Sequence, residues 1–166
     1  MIIRHASDSD LGLLQQIAQA MKAHHEAGYF ERCLAEQKAA RRTLFLAADG
    51  AKGLGYAQVN WLPVYLPFRR LGIPELVDLN VAPDARRRGL GTRLVETCEA
   101  AARDRGCGDM GISVGVHAGF GAAQRLYARL GYVPDGAGVT YDDVAVTPGD
   151  MRAVDDLLTL KLVRKL

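Results

Sequence analysis

A strong basic excess is missing from this chain. Of its 166 residues, 21 are Lys or Arg and 19 are Asp or Glu, which leaves a net charge of +2. A general nucleic-acid or membrane-surface binder concentrates more positive charge, so neither partner is expected. Cysteine is scarce as well. Cys33, Cys98 and Cys107 form an odd set without paired spacing, which indicates neither a disulfide framework nor a zinc site; no metal is expected. No apolar run approaches the ~20 residues of a membrane span. Met1-Ile-Ile-Arg-His5 shows no basic-then-apolar leader, so a cytoplasmic location is the expectation. A Gly-Lys-Ser/Thr sequence, which would hold a triphosphate and its metal, is absent. So are internal repeats and low-complexity segments.

What is present suits a globular chain: 49% of the residues are hydrophobic and 24% are charged. The length fits a single domain over residues 1–166 with a real core. Met1 to Arg4 reads as a strand. Leu11, Leu14, Ile17, Ala18 and Met21 recur at helical spacing, which predicts a helix from Asp10 to His25. A second helix is expected from Tyr29 to Arg41. Thr43–Ala48 and Leu54–Leu62 read as strands joined at Asp49-Gly50. Pro63, Pro67 and Pro74 make residues 63–74 an irregular loop, with Trp61, Tyr65 and Phe68 packing beneath it or lining a pocket. Later elements are a helix to Arg105, a strand over Met110–Val116, a helix over Phe120–Leu130, and a strand opening at Tyr132-Val133. Residues 134–150 are turn-rich, and Leu157–Lys165 alternates as a half-buried strand. The order predicts a mixed sheet with helices on both faces, with at least one parallel pair at the strand-helix-strand crossover.

The chain is organised around Glu75 to Gly91. A strand from Glu75 to Val81 stops at Pro83. A turn of Arg86, Arg87, Arg88 and Gly89 follows, and a helix starts at Leu90. Glycine lets backbone approach a ligand, and the first amides of a helix are unpaired, so the turn is a ready phosphate site. Alternation places Glu75, Val77, Leu79 and Val81 on one strand face, and Asp78 and Asn80 on the other. Glu75 and Asp78 are then rivals for any one site, unless a bulge intervenes.

Four stretches resemble the GNAT superfamily of acyl-CoA-dependent N-acyltransferases. Leu79-Asn-Val-Ala-Pro83 is similar to that family's fourth strand and its exit. Arg86-Arg-Arg-Gly-Leu-Gly91 is similar to its pyrophosphate turn. Ala123-Gln-Arg-Leu-Tyr127-Ala-Arg-Leu-Gly-Tyr132 resembles its Leu-Tyr helix and the following strand, and the order of elements agrees over nearly the whole chain. The resemblance implies an α/β (α+β) fold of six or seven strands, with the fourth and fifth splayed around acetyl-CoA or another acyl-CoA. The backbone of Leu79, Asn80 and Val81 would then pair with the pantetheine arm. Amides of Arg86, Arg87, Arg88, Gly89, Leu90, Gly91 and Thr92 would hold the pyrophosphate. Phe120 stands where the family commonly has asparagine, and Gln124 is the polar alternative there.

The implied reaction is N-acetyl transfer to a primary amine of a small molecule or protein, by direct attack in a ternary complex. The resemblance makes Tyr127 the general acid for the leaving thiolate and Glu75 the first candidate base, with Asp78 its rival. The acidic segment from Asp135 to Asp156 suits a cationic acceptor, although aspartate is also common in turns. His24-His25-Glu26 is expected at a solvated helix end, and His117 in a plain loop. Two other readings stay open: a non-catalytic acyl-CoA-binding sensor of the same fold, and a nucleotide-phosphate-binding module. A homodimer is also compatible with the sequence.

Overall fold

Glycine and left-handed backbone set where the chain turns, and the apolar pattern sets what it covers. The computed structural model describes residues 1–23 and 25–166. Strand β1 (Ile2–His5) leads through a 3-10 turn to helix α1 (Leu11–Met21) and then α2 (Tyr29–Lys38). The hairpin β2 (Arg42–Asp49) and β3 (Lys52–Asn60) follows, then α3 (Leu66–Leu71) and β4 (Glu75–Val81). Next come α4 (Leu90–Asp104), β5 (Asp109–Gly115), α5 (Gly121–Arg129), β6 (Val133–Tyr141), β7 (Val144–Ala145) and β8 (Leu158–Lys165). All eight strands form one mixed sheet in the order β1-β2-β3-β4-β5-β8-β6-β7.

The sheet separates two apolar layers. Leu90, Leu94, Val95 and Cys98 of α4 join Tyr127 of α5 against Ala57, Val59, Leu76, Ile112 and Val114. On the opposite face, Leu14 and Ile17 of α1 and Phe30 and Leu34 of α2 cover Leu44, Leu46 and Tyr56. Alternation along β3 produces this division, since successive side chains point to opposite faces. Phe68 of α3 extends the second layer by lying over Gly111.

Four expectations need correction. There are eight strands rather than six or seven. The first helix ends at Met21 and not at His25, because Lys22 takes a left-handed conformation at φ 54°. Residues 63–74 contain α3; Pro67 falls in its first turn, where a missing N–H costs nothing. The turn-rich stretch after Tyr132 begins as strand β6, which runs to Tyr141, and also holds the short β7. The register of β6 against β8 shifts between Pro134 and Val139, which absorbs the proline and the glycines at 136 and 138.

Two irregularities shape the centre of the sheet. The parallel pairing of β4 with β5 consists of Glu75 with Gly111 and Leu76 with Ile112, after which the strands part. On the other side of β4, Tyr56 pairs with Asn80 but Gln58 pairs with Val77. Two steps on β3 therefore span three on β4, which is a bulge, and Asp78 sits in it at φ 52°.

A methyl group added at Gly111 would lie 2.3 Å from the ring of Phe68. Gly111→Ala is expected to lower the unfolding free energy by about 1–3 kcal/mol, as overpacking does in a filled core. Urea titration checks this; an unchanged midpoint would show that the ring yields freely.

Candidate active site

Once β4 and β5 part, the space between them is walled by the first turns of α4 and by α5. The result is a groove of about 500 Å³. Leu79, Asn80 and Val81 form its strand wall, and Leu90, Gly91 and Thr92 its helical end. Phe120, Ala123 and Leu126 line the opposite side. Arg86, Arg87 and Arg129 make its rim basic. Arg87 and Gly89 both have left-handed backbone, at φ 59° and 75°. The Arg93 amide donates to the Gly89 carbonyl, so the amides of Leu90, Gly91 and Thr92 precede the first helical bond of α4. Free amides at a helix start, together with the helix dipole, favour an anion. An apolar channel ending in such a turn suits a long thioester arm that carries a pyrophosphate.

Arg86 and Phe120 line the groove and also make contacts within the protein, whereas Gln124, Arg88 and Tyr127 are not part of its lining. Arg86 turns its Nε to the Val81 carbonyl at 3.1 Å and a terminal nitrogen to Met21 Sδ at 2.9 Å, tying β4 to the end of α1. Gln124 donates to the Gly115 carbonyl at 2.8 Å, on the open edge of β5. The Phe120 ring lies over Gly115, where a Cβ would come within 2.3 Å of it. Arg88 is exposed. Tyr127 is buried beside Tyr132, one position beyond the groove-lining Leu126, and its hydroxyl has no hydrogen-bond partner among the described residues. Burial pushes its phenol above the usual range.

The bulge brings the two rival carboxylates to one face, which strict alternation had kept apart. Gln58 and Asn60 are the partners of Val77 and Glu75, and the Gln58 amide reaches Asp78 Oδ2 at 3.1 Å. Each carboxylate has its own set of partners. Asp78 Oδ2 accepts from the Tyr29 hydroxyl and from Gln58, and Gln58 Nε2 also donates to Tyr29 Oη at 3.0 Å. Arg42 fixes the Gln58 amide by donating to its Oε1 at 3.0 Å. Burial first, and then the Asp78 charge, raise the Tyr29 phenol, which therefore stays a donor.

Glu75 lies deeper. Its Oε1 is 2.9 Å from Nζ of Lys161, a fully buried lysine on β8. Lys161 also pairs with Asp143, and its ammonium stands 5.0 Å from the centre of the Tyr65 ring. Burial raises the Glu75 carboxyl, and Lys161 opposes that shift. Sequence reading missed Lys161, because a lysine between Leu160 and Leu162 reads as the solvent side of a strand. Tyr65 hydrogen-bonds Asp135 at 2.8 Å and is buried with Phe68 under the loop.

His24 lies outside the described residues. His25 is not at a solvated helix end; it stacks on Tyr29 with ring centroids 4.0 Å apart and planes within 2°. Its Nε2 is 3.0 Å from Tyr56 Oη. His117 accepts from Gly119 N–H through Nδ1 at 3.1 Å, and its Nε2 is 2.8 Å from Asp156. Several late aspartates are likewise engaged within the chain: Asp143 by Lys161, Asp155 by Tyr141 and Asp150 by Arg152. Among the described residues, no group of three His, Cys, Asp or Glu side chains is placed to hold a metal, and no helix is long and apolar enough to cross a membrane.

A cleft between parting strands, closed by a helix start with free amides, is the architecture that the sequence resemblance implies. The profile of the acetyltransferase (GNAT) family matches residues 12–132. This chain belongs to the GNAT acetyltransferase family. Among solved structures, a ribosomal-protein-alanine N-acetyltransferase from Brucella melitensis is similar, with a TM-score of 0.74 and 21% identity over 100% of both chains. A putative acetyltransferase from Salmonella typhimurium, solved with its cofactor acetyl-CoA, has a TM-score of 0.71 and 20% identity over 99% of this chain and 93% of its own. An aminoglycoside 6'-N-acetyltransferase complexed with coenzyme A has a TM-score of 0.70 and 16% identity, covering 99% and 97%. At such identities the likeness shows the fold. A sequence search of curated proteins returns no match.

Removing Lys161 would strand the buried Glu75 charge. Lys161→Met is expected to cost about 3–5 kcal/mol in chemical denaturation, and adding Glu75→Gln should recover much of it. A single variant as stable as the parent would show that Glu75 has no need of its cation.

Proposed function

We propose that this protein is an acyl-CoA-dependent N-acyltransferase that moves the acetyl group of acetyl-CoA to a primary amine by direct attack in a ternary complex. The observation that carries this reading is the groove between β4 and β5, with its basic rim and free amides at the start of α4. Leu79 to Val81 supply a strand edge for the pantetheine arm, and residues 86–92 the pyrophosphate end. Among structural neighbours, one is an N-acetyltransferase of a ribosomal protein and another of an aminoglycoside, which supports nitrogen as the nucleophile.

The chemistry has a protonation problem. An amine with a pKa near 10.4 is neutral in about 1 molecule in 2,500 at pH 7, a deficit of roughly 4–5 kcal/mol. A base beside the groove offsets part of it. Asp78 is better disposed than Glu75 to meet an incoming ammonium. Glu75 is almost wholly covered and already paired with Lys161, whereas the Asp78 side chain keeps 28% of its surface exposed. Tyr127 is the proton donor to the departing sulfur. Its hydroxyl has no partner to hold its proton among the described residues, and it stands one helical position beyond the groove wall.

Release of free thiol from acetyl-CoA, followed across protein and small-molecule amines, tests the assignment. Initial-rate lines should converge when both substrates are varied; parallel lines would indicate an acylated enzyme instead. Tyr127→Phe is expected to lower kcat by about 10²-fold, the scale of general acid catalysis, with little change in KM for acetyl-CoA. Equal turnover by that variant would remove Tyr127 from the mechanism.

A further inference from the structure

The loop between α1 and α2 carries a histidine whose surroundings exceed what packing needs. His25 lies flat on Tyr29 and edge-on to Phe30, whose ring centroid is 5.4 Å away. Its Nε2 meets the Tyr56 hydroxyl at 3.0 Å and stands 3.9 Å from Asp78 Oδ2. One ring nitrogen thus faces both a hydroxyl and a carboxylate, and the ring is held by one stacked and one edge-on aromatic contact. The strand register extends this arrangement to the groove: Tyr56 pairs with Asn80, and Asn80 lines the groove wall.

The carboxylate is divided in a telling way. Tyr29 and Gln58 both bind Asp78 Oδ2. Oδ1 has no hydrogen-bond partner among the described residues, on a side chain that is partly exposed. A carboxylate with one oxygen anchored and the other free is arranged to receive a cation. The imidazole beside it is the chain's natural proton acceptor near neutral pH.

We propose that Asp78 Oδ1 holds the ammonium of the acceptor and that His25 Nε2 removes its proton. This rests on the acetyltransferase reading above and names the base of that site. The balance is complete. One proton passes from R–NH3⁺ to His25, directly or through one water, leaving R–NH2 and an imidazolium. The Tyr56 oxygen accepts the new Nε2–H, the Asp78 charge offsets the imidazolium, and the Tyr29 ring face stabilises it. The amine lone pair forms the C–N bond to the thioester carbon as the C–S bond breaks. A second proton from nitrogen ends on the CoA sulfur by way of Tyr127, and His25 returns the first to solvent. Asp78 therefore touches the substrate, while Tyr29, Gln58 and Tyr56 are positioning residues.

The titratable groups that face His25 are Asp78 on β4, Tyr56 on β3 and Tyr29 on α2. Cys33 and Arg42 lie behind Tyr29, and Glu26 is exposed and paired with Arg32. The NMR signals of the His25 ring should move in Asp78→Asn, because the carboxylate stands 3.9 Å from Nε2; unmoved signals overturn the pairing and need no active variant. In kinetics, His25→Gln should lose about 10²-fold in kcat/KM for the amine at pH 7 while KM for acetyl-CoA holds. The limb near the histidine range in the wild-type pH profile should vanish with it. Added imidazole should restore part of the activity of His25→Ala, which a packing role would not allow. His25→Gln turning over at the wild-type rate with the same profile overturns the role of His25 alone. Wild-type protein that binds acetyl-CoA yet releases no thiol with any amine overturns the acetyltransferase reading, and this role with it.

Discussion

Neighbouring strands that stop pairing leave a row of backbone donors and acceptors without partners, and the rest of this structure answers that fact. Exposed ladder edges inside a protein are costly unless something pairs with them. β4 and β5 stay together for two residue pairs and then separate. On the β5 side the protein covers its own edge: Gln124 takes the Gly115 carbonyl, and the Phe120 ring lies against the Gly115 backbone. On the β4 side, Leu79 to Val81 are left as the groove wall. The asymmetry assigns one edge to the protein and the other to a ligand. It also explains how an aromatic residue stands where the family commonly has asparagine, since Phe120 packs on a glycine instead of presenting an amide.

The same strand carries a bulge on its opposite edge, and that bulge sorts the carboxylates. Without it, Asp78 would point with Leu76 into the apolar layer under α4, where an unpaired charge would be prohibitive. The left-handed Asp78 turns the side chain towards Tyr29 and Gln58 instead. Aspartate adopts that backbone region more readily than most residues, so the strain is modest. Both carboxylates of β4 then lie on the face opposite α4, in very different states. Glu75 is sealed under Tyr65 and Phe68 against a buried lysine, which suits an anchor for β4 on β8. Asp78 keeps one carboxylate oxygen without a hydrogen-bond partner among the described residues, one position from the groove-lining Leu79.

Local patterns were legible in the sequence, and long-range ones were not. The strand from Glu75 to Val81 and the start of α4 at Leu90 agree with the structure, because proline, glycine and apolar spacing act within a few residues. Helix α3 was hidden by its prolines, although Pro67 in a first turn is compatible with a helix. His25 was misread because a histidine past the last apolar position of α1 reads as a solvated helix end, and apolar spacing does not report the left-handed Lys22 that ends α1 early. Lys161 was invisible for a different reason. Its partners are 86 and 18 residues away in sequence, and no spacing rule connects them. Of the candidate site, the phosphate turn could be read by eye, whereas the polar network needed the fold to assemble it.

In the proposed reaction the sheet is a partition between donor and acceptor. On one face, α4 and α5 enclose the groove in apolar packing with a basic mouth, which suits an anionic, extended donor. On the other face, α1, α2 and α3 cover polar groups that would suit a cation. The two faces have to meet where the thioester carbon and the amine nitrogen react, and β4 is the strand both sides share. The bulge is the place on β4 where a carboxylate from the acceptor face approaches the edge that lines the groove. A carboxylate alone is a poor base for an amine whose pKa lies about 6 units above its own. An imidazole narrows that gap to about 4 units. This arithmetic supports the proposed order of the parts: carboxylate to hold the ammonium, histidine to take its proton, and the parted strands to bring the thioester within reach.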